Sequence, residues 1–320
     1  MSKKSTGLTG LLEKTVVFRD GEPYNMTTMK STDFPNGKFN ITLENRDSFI
    51  DKYYNYVFKK GCNSYLLEKP FDKIRKPFFN NALEDANSIK IDLDFRFPIK
   101  KEEIEKPDLI IRKYDIKDIK KLLKTYIRLL DQYIEITDDM IVHIMEKENP
   151  IVKKIKGRDV VKDGIHIMFE KILVPNKILY KVREELIEHP DIINIFENMK
   201  TENPISDIVD IRVISKNSWF LYGSKKPNDL AYKVSKSYKV DLNSDKIIHK
   251  LDKKISNKSL IKNLSNLFAS KNCILKKGVD LSKFNDYSYD DEKFENNNSK
   301  LLSTYCKEYI KKPTCDSYTS

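Results

Sequence analysis

Apolar residues recur along this chain with two different periods, and the changes from one to the other mark out its elements. From Asp47 to Lys59, the positions Phe49, Ile50, Tyr53, Tyr54 and Val57 share one face of a helix. From Ile89 to Phe95 the text alternates strictly between apolar and polar, which predicts a strand. Asp115 to Tyr133 carries Ile116, Ile119, Leu122, Leu123, Tyr126, Ile127 and Leu130 at helical spacing, with Asp115 placed as an N-cap. Met140 to Met145 is short and apolar enough for a buried strand. A basic turn (Lys153, Lys154, Lys156, Gly157, Arg158) leads to a second alternating strand from Gly164 to Phe169. A helix is predicted from Pro175 to Ile187, broken at His189-Pro190 and resumed from Ile192 to Met199. A third strand is predicted over Ile208 to Ile214, with Trp219 to Tyr222 as its hairpin partner.

Helices and strands are thus intermixed, without an internal repeat, which predicts an α/β (α+β) fold. Turn signals stand at Asp20-Gly21-Glu22-Pro23 and Pro35-Asn36-Gly37, and Pro70 and Pro77 bracket a loop. Beyond about Asp241 the texture shifts to Lys and Asn, with a short apolar cluster from Leu260 to Phe268 and an acidic, Asn-rich stretch from Asp286 to Lys300. The expected division is a catalytic domain over 1–240 and a helical appendage with a flexible tail over 241–320.

Composition narrows the class. Hydrophobic residues are 39% and charged residues 33%, the balance of a globular chain with solvated surfaces. No stretch approaches the roughly 18–20 apolar residues of a spanning helix, and no apolar segment follows the basic N-terminus, so an intracellular protein with no membrane partner is expected. The net charge of +11, from 59 Lys and Arg against 48 Asp and Glu, favours a phosphate backbone as partner. A Lys-, Asn-, Ile- and Tyr-rich text with only 9 Gly is equally what an AT-rich genome produces. Cys62, Cys273, Cys306 and Cys315 form no C-x-x-C pair. With His249 the last three are too loosely spaced to predict zinc, and reduced thiols are expected.

Candidate chemistry begins with Asp92 and Asp94. Two apart in a strand, both carboxylates emerge on one side while Ile91, Leu93 and Phe95 face the core. Neighbouring carboxylates repel, and a divalent Mg2+ or Mn2+ ion relieves that repulsion through oxygen ligands. A D-x-D pair also arises on any solvent-exposed strand face. Asp210, alternating with Val209 and Ile211, supplies a third carboxylate on a second apolar strand, the minimum for two-metal phosphoryl transfer. On the Gly164 strand, Gly164, His166 and Met168 share a face. Gly164 would let phosphates approach the backbone, His166 would donate to a phosphate oxygen, and Lys162 would add a point charge. Trp219-Phe220-Leu221-Tyr222-Gly223-Ser224-Lys225-Lys226-Pro227 ends in a turn offering N–H groups and ammonium charges to phosphates. Its aromatics serve either base stacking or the core.

In this order, the pieces resemble the archaeo-eukaryotic primase superfamily, especially the primase domain of the primase-helicases of large DNA viruses. The matching texts are Ile91-Asp92-Leu93-Asp94-Phe95-Arg96, Lys162-Asp163-Gly164-Ile165-His166-Ile167 and Ile208-Val209-Asp210, with the Trp219–Pro227 extension and Leu66-Leu67-Glu68-Lys69-Pro70 upstream. The resemblance covers roughly Phe39 to Pro227. It implies a two-part catalytic module with an RRM-like core sheet. Asp92, Asp94 and Asp210 would hold two metal ions, and Gly164 and His166 would contact the incoming nucleotide. Lys162 and Lys226 would act as cationic partners, with Lys225 an alternative to Lys226. It also implies nucleoside triphosphates as substrates, a single-stranded DNA template and primer as partners, and a replicative helicase fused or separate. A chain from a large DNA virus would work at a cytoplasmic replication site. No G-x-x-x-x-G-K-[S/T] loop follows the motifs, and the cysteine-histidine zinc module of cellular primase-polymerases is not recognisable. The activity expected is template-directed nucleotidyl transfer; the rivals are a metal-dependent nuclease and a non-catalytic nucleic-acid-binding scaffold.

Overall fold

The computed structural model describes residues 7–19, 21–74, 85–106, 110–269 and 271–284. The N-terminal part alternates short elements: α1 (Leu8–Thr15), β1 (Met26–Thr28), β2 (Lys38–Phe39), α2 (Arg46–Tyr54), β3 (Leu66–Glu68) and α3 (Phe71–Ile74). β1 lies between β2 and β3, antiparallel to both, with Met26 opposite Phe39 and Glu68. The apolar face expected on α2 is buried at Phe49, Ile50 and Tyr53, and the helix runs on as a π turn to Lys59. The loop expected between Pro70 and Pro77 falls partly outside the described residues.

The site is carried by a larger antiparallel pair, β4 (Ala86–Pro98) and β7 (Arg158–Pro175): Ala86 to Ser88 lie opposite Pro175 to Leu173, the register shifts at a bulge between Ser88 and Lys90, and Lys90 to Pro98 then lie opposite Met168 to Val160. Alternation sorts β4 cleanly: Ile91, Leu93, Phe95 and Phe97 are buried, while Asp92, Asp94 and Arg96 turn to the other side. β5 (Ile141–Glu146) and β6 (Ile151–Ile155) follow one another along the second edge of β7. α4 (Lys101–Glu105) follows β4, and onto the face bearing Phe95 and Phe169 pack α5 (Ile116–Leu130), α6 (Asn176–Glu188) and α7 (Pro190–Met199). The ring of Phe95 lies 5.3 Å from Tyr114 and 6.2 Å from Phe196, and Tyr126 lies 6.1 Å from Phe169. Asp115 caps α5 as its spacing implied, accepting from the Lys117 amide at 2.8 Å. The fold is α+β, and the β5-β7-β4 order with helices on one face is the RRM-like core.

One expected strand is absent and another pairs elsewhere. In place of a strand over Ile208 to Ile214, the chain forms α8 (Ile205–Ile208), touches β4 through one bridge between Val209 and Leu93, and turns into a 3-10 helix over Ile211–Val213. Pro204 starts the helical turn, and the Asp210 side chain accepts from the Arg212 amide at 3.0 Å. That local bond competes with a ladder, so the alternation of Val209, Ile211 and Val213 never becomes pairing. Trp219–Phe220 (β8) is therefore no hairpin partner to this segment: it pairs with Glu68 and Leu67 of β3, extending the small sheet.

Residues 241–281 belong to the same compact unit as the elements before them. β9 (Lys233–Asp241) pairs with β5 and, across a tight turn, with β10 (Ile247–Lys250). α9 (Asn257–Leu264) and a following 3-10 turn bury Leu260, Ile261, Leu264, Leu267 and Phe268 in the cluster that holds Leu12, Phe49 and Tyr53. β11 (Lys271–Asn272) then runs parallel to β7 at Ile172 and Leu173. The compact unit reaches Leu281. The tail from Asp286, with Cys306 and Cys315, lies outside the described residues. Among the described residues no helix is long and apolar enough to cross a membrane.

Candidate active site

The β4–β7 register places the motif residues opposite one another: Asp92 faces His166, and Asp94 faces Gly164. Cross-strand partners share a face, so both carboxylates, the glycine and the imidazole open on the side away from the helices. Lys162, opposite Arg96, reaches back along the pair and binds the Asp94 carboxylate at 2.9 Å. The third aspartate arrives from outside the sheet. The amide of Asp210 donates to the Asp92 carbonyl at 3.0 Å. The Arg183 guanidinium of α6 fixes that segment, donating to the Val209 carbonyl at 2.9 and 3.1 Å and to the Ser206 carbonyl at 2.7 Å. Asn203 completes this edge of β4, accepting from the Arg96 amide at 2.9 Å and donating to the Asp94 carbonyl at 2.8 Å. Side chains thus satisfy backbone groups that the missing strand would have paired.

Asp92 is the most strained of the three electrostatically. Burial pushes its carboxyl up to about 8, with Asp94 and Asp210 adding repulsion against the pull of Lys162 and Lys226. Its Oδ1 is buried and accepts no hydrogen bond; the nearest cationic candidate, His166 Nε2, stands 3.5 Å away, too far for a hydrogen bond of ordinary strength. The His166 ring is itself held well below its usual pKa, first by burial and then by Lys147, Lys226 and Lys162, so it faces Asp92 as a neutral imidazole.

Among the described residues, no three His, Cys, Asp or Glu side chains are arranged to hold a metal ion. Asp94 is turned to Lys162, and Asp210 to Arg212, whose Nε and Nη2 bind it at 2.9 and 3.0 Å. The backbone nonetheless sets all three carboxylates in one neighbourhood, close enough for Asp94 and Asp210 to raise Asp92. An orphaned, buried carboxylate oxygen beside two carboxylates paired with Lys162 and Arg212 is a set of hard oxygen donors of the kind a divalent ion takes. The ion would displace Lys162 and Arg212.

His166 is held between rings. Tyr232 stacks on it with centroids 3.6 Å apart, and Trp219 lies at 4.2 Å on a tilt. Trp219 and Phe220 therefore belong to a wall shared by core and site, which with Met145, Met168, Tyr222 and Gly223 lines a small cavity beside the imidazole. Tyr232 changes the reading of Gly164. A Cβ there would meet the Tyr232 hydroxyl at 2.6 Å and the Leu93 carbonyl at 3.0 Å; the space above the glycine is filled by a phenol, not kept open for a phosphate.

The Gly223-Ser224-Lys225-Lys226 turn also differs from expectation. Two of its amides are already engaged: Ser224 donates to the Leu221 carbonyl at 2.7 Å, and Lys225 to the Ser64 carbonyl at 2.9 Å. The Ser224 hydroxyl joins Tyr53 and Ser64, each at 2.8 Å, anchoring the turn to the N-terminal layer. Of the two lysines, Lys226 faces the aspartates. Loss of water around its ammonium lowers its pKa, as do Lys162 and Lys147, while Asp94 and Asp92 pull it up. Three residues of the site had not been singled out. Tyr232 is one of 17 tyrosines and stands outside any periodic run. Lys147 follows β5 and is locked to Asp229 at 2.6 and 2.8 Å. Asn203 looks like any loop asparagine, and nothing in the text marks it.

A central antiparallel sheet with paired aspartates opposite a Gly-x-His strand, and a third aspartate delivered to its edge, defines a primase-type domain. The comparison with known proteins agrees: residues 28–238, well over half of the chain, match the family described as the C962R protein N-terminal AEP domain, and the chain belongs to this archaeo-eukaryotic primase family. It is also 28% identical, over 205 residues, to a protein of Acanthamoeba polyphaga mimivirus described as a helicase. That match takes in 63% of this chain and 19% of the viral protein, so the chain spans only a fraction of its relative's length.

Proposed function

We propose that this chain is a template-directed nucleotidyltransferase that makes or extends primers on single-stranded DNA. The observation that carries this reading is the orphaned Asp92 carboxylate, set with Asp94 and Asp210 in one field and facing a neutral His166. Asp92, Asp94 and Asp210 would hold Mg2+ or Mn2+, which when bound favours ionisation of the primer 3'-hydroxyl and neutralises charge on the transferring phosphate. Lys162 and Lys226 lie beside the same carboxylates and would move to the triphosphate as the cations take over the aspartates. His166, kept neutral and clamped between Tyr232 and Trp219, would donate an N–H hydrogen bond to a phosphate oxygen without rotating. A nuclease would use the same carboxylates; the two lysines and the imidazole gathered around them suit the three phosphates of a nucleotide, which favours transfer over hydrolysis.

The test is an incorporation assay with single-stranded DNA, labelled ribo- and deoxyribonucleotides, and Mn2+ or Mg2+, with and without a preformed primer. Incorporation that disappears in Asp92→Ala and Asp94→Ala, both still folded, supports the proposal. Incorporation unchanged by those substitutions overturns it, and metal-dependent degradation of DNA without nucleotides would favour hydrolysis instead. The relative described as a helicase makes a helicase, on the same polypeptide or another, the partner to look for.

A further inference from the structure

We propose that the β6–β7 hairpin is a nucleic-acid arm that grips a DNA phosphate backbone leading out of the carboxylate site. β5 and β6 pair in succession with β7, but only β5 is covered by β9; from Ile151 onward no strand among the described residues pairs with the hairpin's outer edge. Its tip is a two-residue turn, with Ile155 opposite Arg158 and both Lys156 (φ 49) and Gly157 (φ 83) left-handed, the geometry of a tight hairpin turn. The second of these positions has the expected glycine, but the first has a lysine, in a conformation that costs a side chain about 1 kcal/mol. Lys153, Lys154, Lys156 and Arg158 are all exposed, and none has an ion-pair partner among the described residues. Within residues 151–162 the one acidic residue is Asp159, across from Lys154.

Register shows where this charge points. His166, Gly164, Lys162, Val160 and Arg158 alternate onto the face that bears Asp92 and Asp94. Lys153 lies opposite Val160, and Arg96 opposite Lys162, so both share that face. Lys153 and Arg158 therefore continue toward the tip a basic face that begins beside the carboxylates with Lys162 and Arg96, which are themselves ion-paired to Asp94 and Asp207. From Gly164 to Arg158 it runs roughly 20 Å at strand rise, a length over which one strand of a duplex carries about six phosphates. Lysines on an open edge strand also prevent sheet-to-sheet aggregation, so the experiment must separate that role from binding.

This inference rests on the proposed nucleotidyl-transfer site, and its test can fail independently. The full chain carrying Lys153→Gln, Lys154→Gln, Lys156→Gln and Arg158→Gln is compared with a charge-matched variant altered on the opposite face of the sheet, Lys117→Gln, Lys121→Gln, Lys124→Gln and Arg128→Gln. Binding to single-stranded DNA and to a primer–template duplex is measured across a salt series. The arm variant should lose at least tenfold in affinity, and its salt dependence should flatten by about 0.7 per lost contact on single strands or 0.9 on duplex. The charge-matched variant should change much less. The stronger loss identifies which form of DNA the arm holds. In primer extension, the KM for template should rise, with the KM for nucleotide and kcat at saturating template unchanged. Equal affinity and slope in wild type and arm variant overturn the inference, including the case where the variant merely aggregates. Lost DNA binding alongside a wild type that never incorporates nucleotide would leave the arm standing and remove the proposed activity.

Discussion

The hydroxyl of Tyr232 stands 2.6 Å from where a Cβ on residue 164 would lie, so the Gly-x-His motif and a tyrosine nearly seventy residues later form one packing unit. Tyr232 is half-buried and stacked on His166, so its ring cannot yield without disturbing the imidazole. Gly164→Ala should therefore destabilise by about 1–3 kcal/mol through overpacking and lower incorporation by displacing His166. Tyr232→Phe removes the offending oxygen. The double variant should recover most of the lost stability, leaving the closer approach to the Leu93 carbonyl as the residue of the cost. Thermal or urea melts of the four proteins close the cycle; strictly additive effects would mean the two residues do not meet.

Asp92 makes a prediction about stability and pH together. Its folded-state carboxyl is raised from 3.8 to about 8 by burial and by Asp94 and Asp210. The folded protein thus binds a proton that the unfolded chain releases, and this contribution is complete below 3.8 and lost as pH rises through about 8. In metal-free buffer, wild type should lose more stability than Asp92→Asn between pH 4 and pH 8. At pH 8 the Asn variant should be the more stable protein, though inactive. Adding Mn2+ should raise the melting temperature of wild type and leave Asp92→Asn nearly unmoved. Matching pH profiles for the two proteins would show that Asp92 does not carry this burden.

Much of this site was legible because strand alternation is a local property. Ile91 to Phe95 and Gly164 to Phe169 each have one buried face, and burial fixes which side chains point together. The helix from Asp115 was legible for the same reason, in its own period. The segment around Asp210 was not, since its alternation mimics a strand while Pro204 and the Asp210 cap divert the backbone into helical turns. What pointed to the third aspartate was the motif order, and what holds its segment against β4 is its own amide on the Asp92 carbonyl and Arg183 on the Val209 carbonyl, neither of which carries a periodic signature. Tyr232 escaped because its partners, His166 and Gly164, lie on a different strand. Contacts of that range leave no trace in a single sequence.

The division at residue 240 can be tested by truncation. A chain ending there loses Leu260, Ile261, Leu264, Leu267 and Phe268 from the cluster that includes Phe49 and Tyr53. Each buried side chain of this type is worth roughly 1.5–3 kcal/mol, so the sum approaches the whole stability of an ordinary domain, about 5–15 kcal/mol. Buried Glu68 would also lose Ser265 and the Asn266 amide, its hydrogen-bond donors. Residues 1–240 should therefore be unfolded or insoluble, whereas residues 1–284 should melt cooperatively near the full chain's temperature. A well-folded 1–240 fragment would show that α9 is an accessory after all.

Lys225 and Lys226 were interchangeable in the sequence, and the turn separates them. The Lys225 backbone is spent on the Ser64 carbonyl at 2.9 Å, whereas the Lys226 ammonium feels Asp92, Asp94, Lys162 and Lys147. A lowered ammonium pKa in that company means that water has been partly stripped from the charge before any substrate arrives. Less desolvation then remains to oppose its contact with a triphosphate, and a charge-assisted bond there should be worth more than one on open surface. Lys226→Met should raise the KM for nucleotide by about tenfold or more, which corresponds to roughly 1.4 kcal/mol, with little change in DNA affinity. Lys225→Met should alter either quantity less than about twofold, in the range of ordinary surface substitutions. Equal losses from both would place the two ammonium groups in one shared field, contrary to the geometry of the Ser64 anchor.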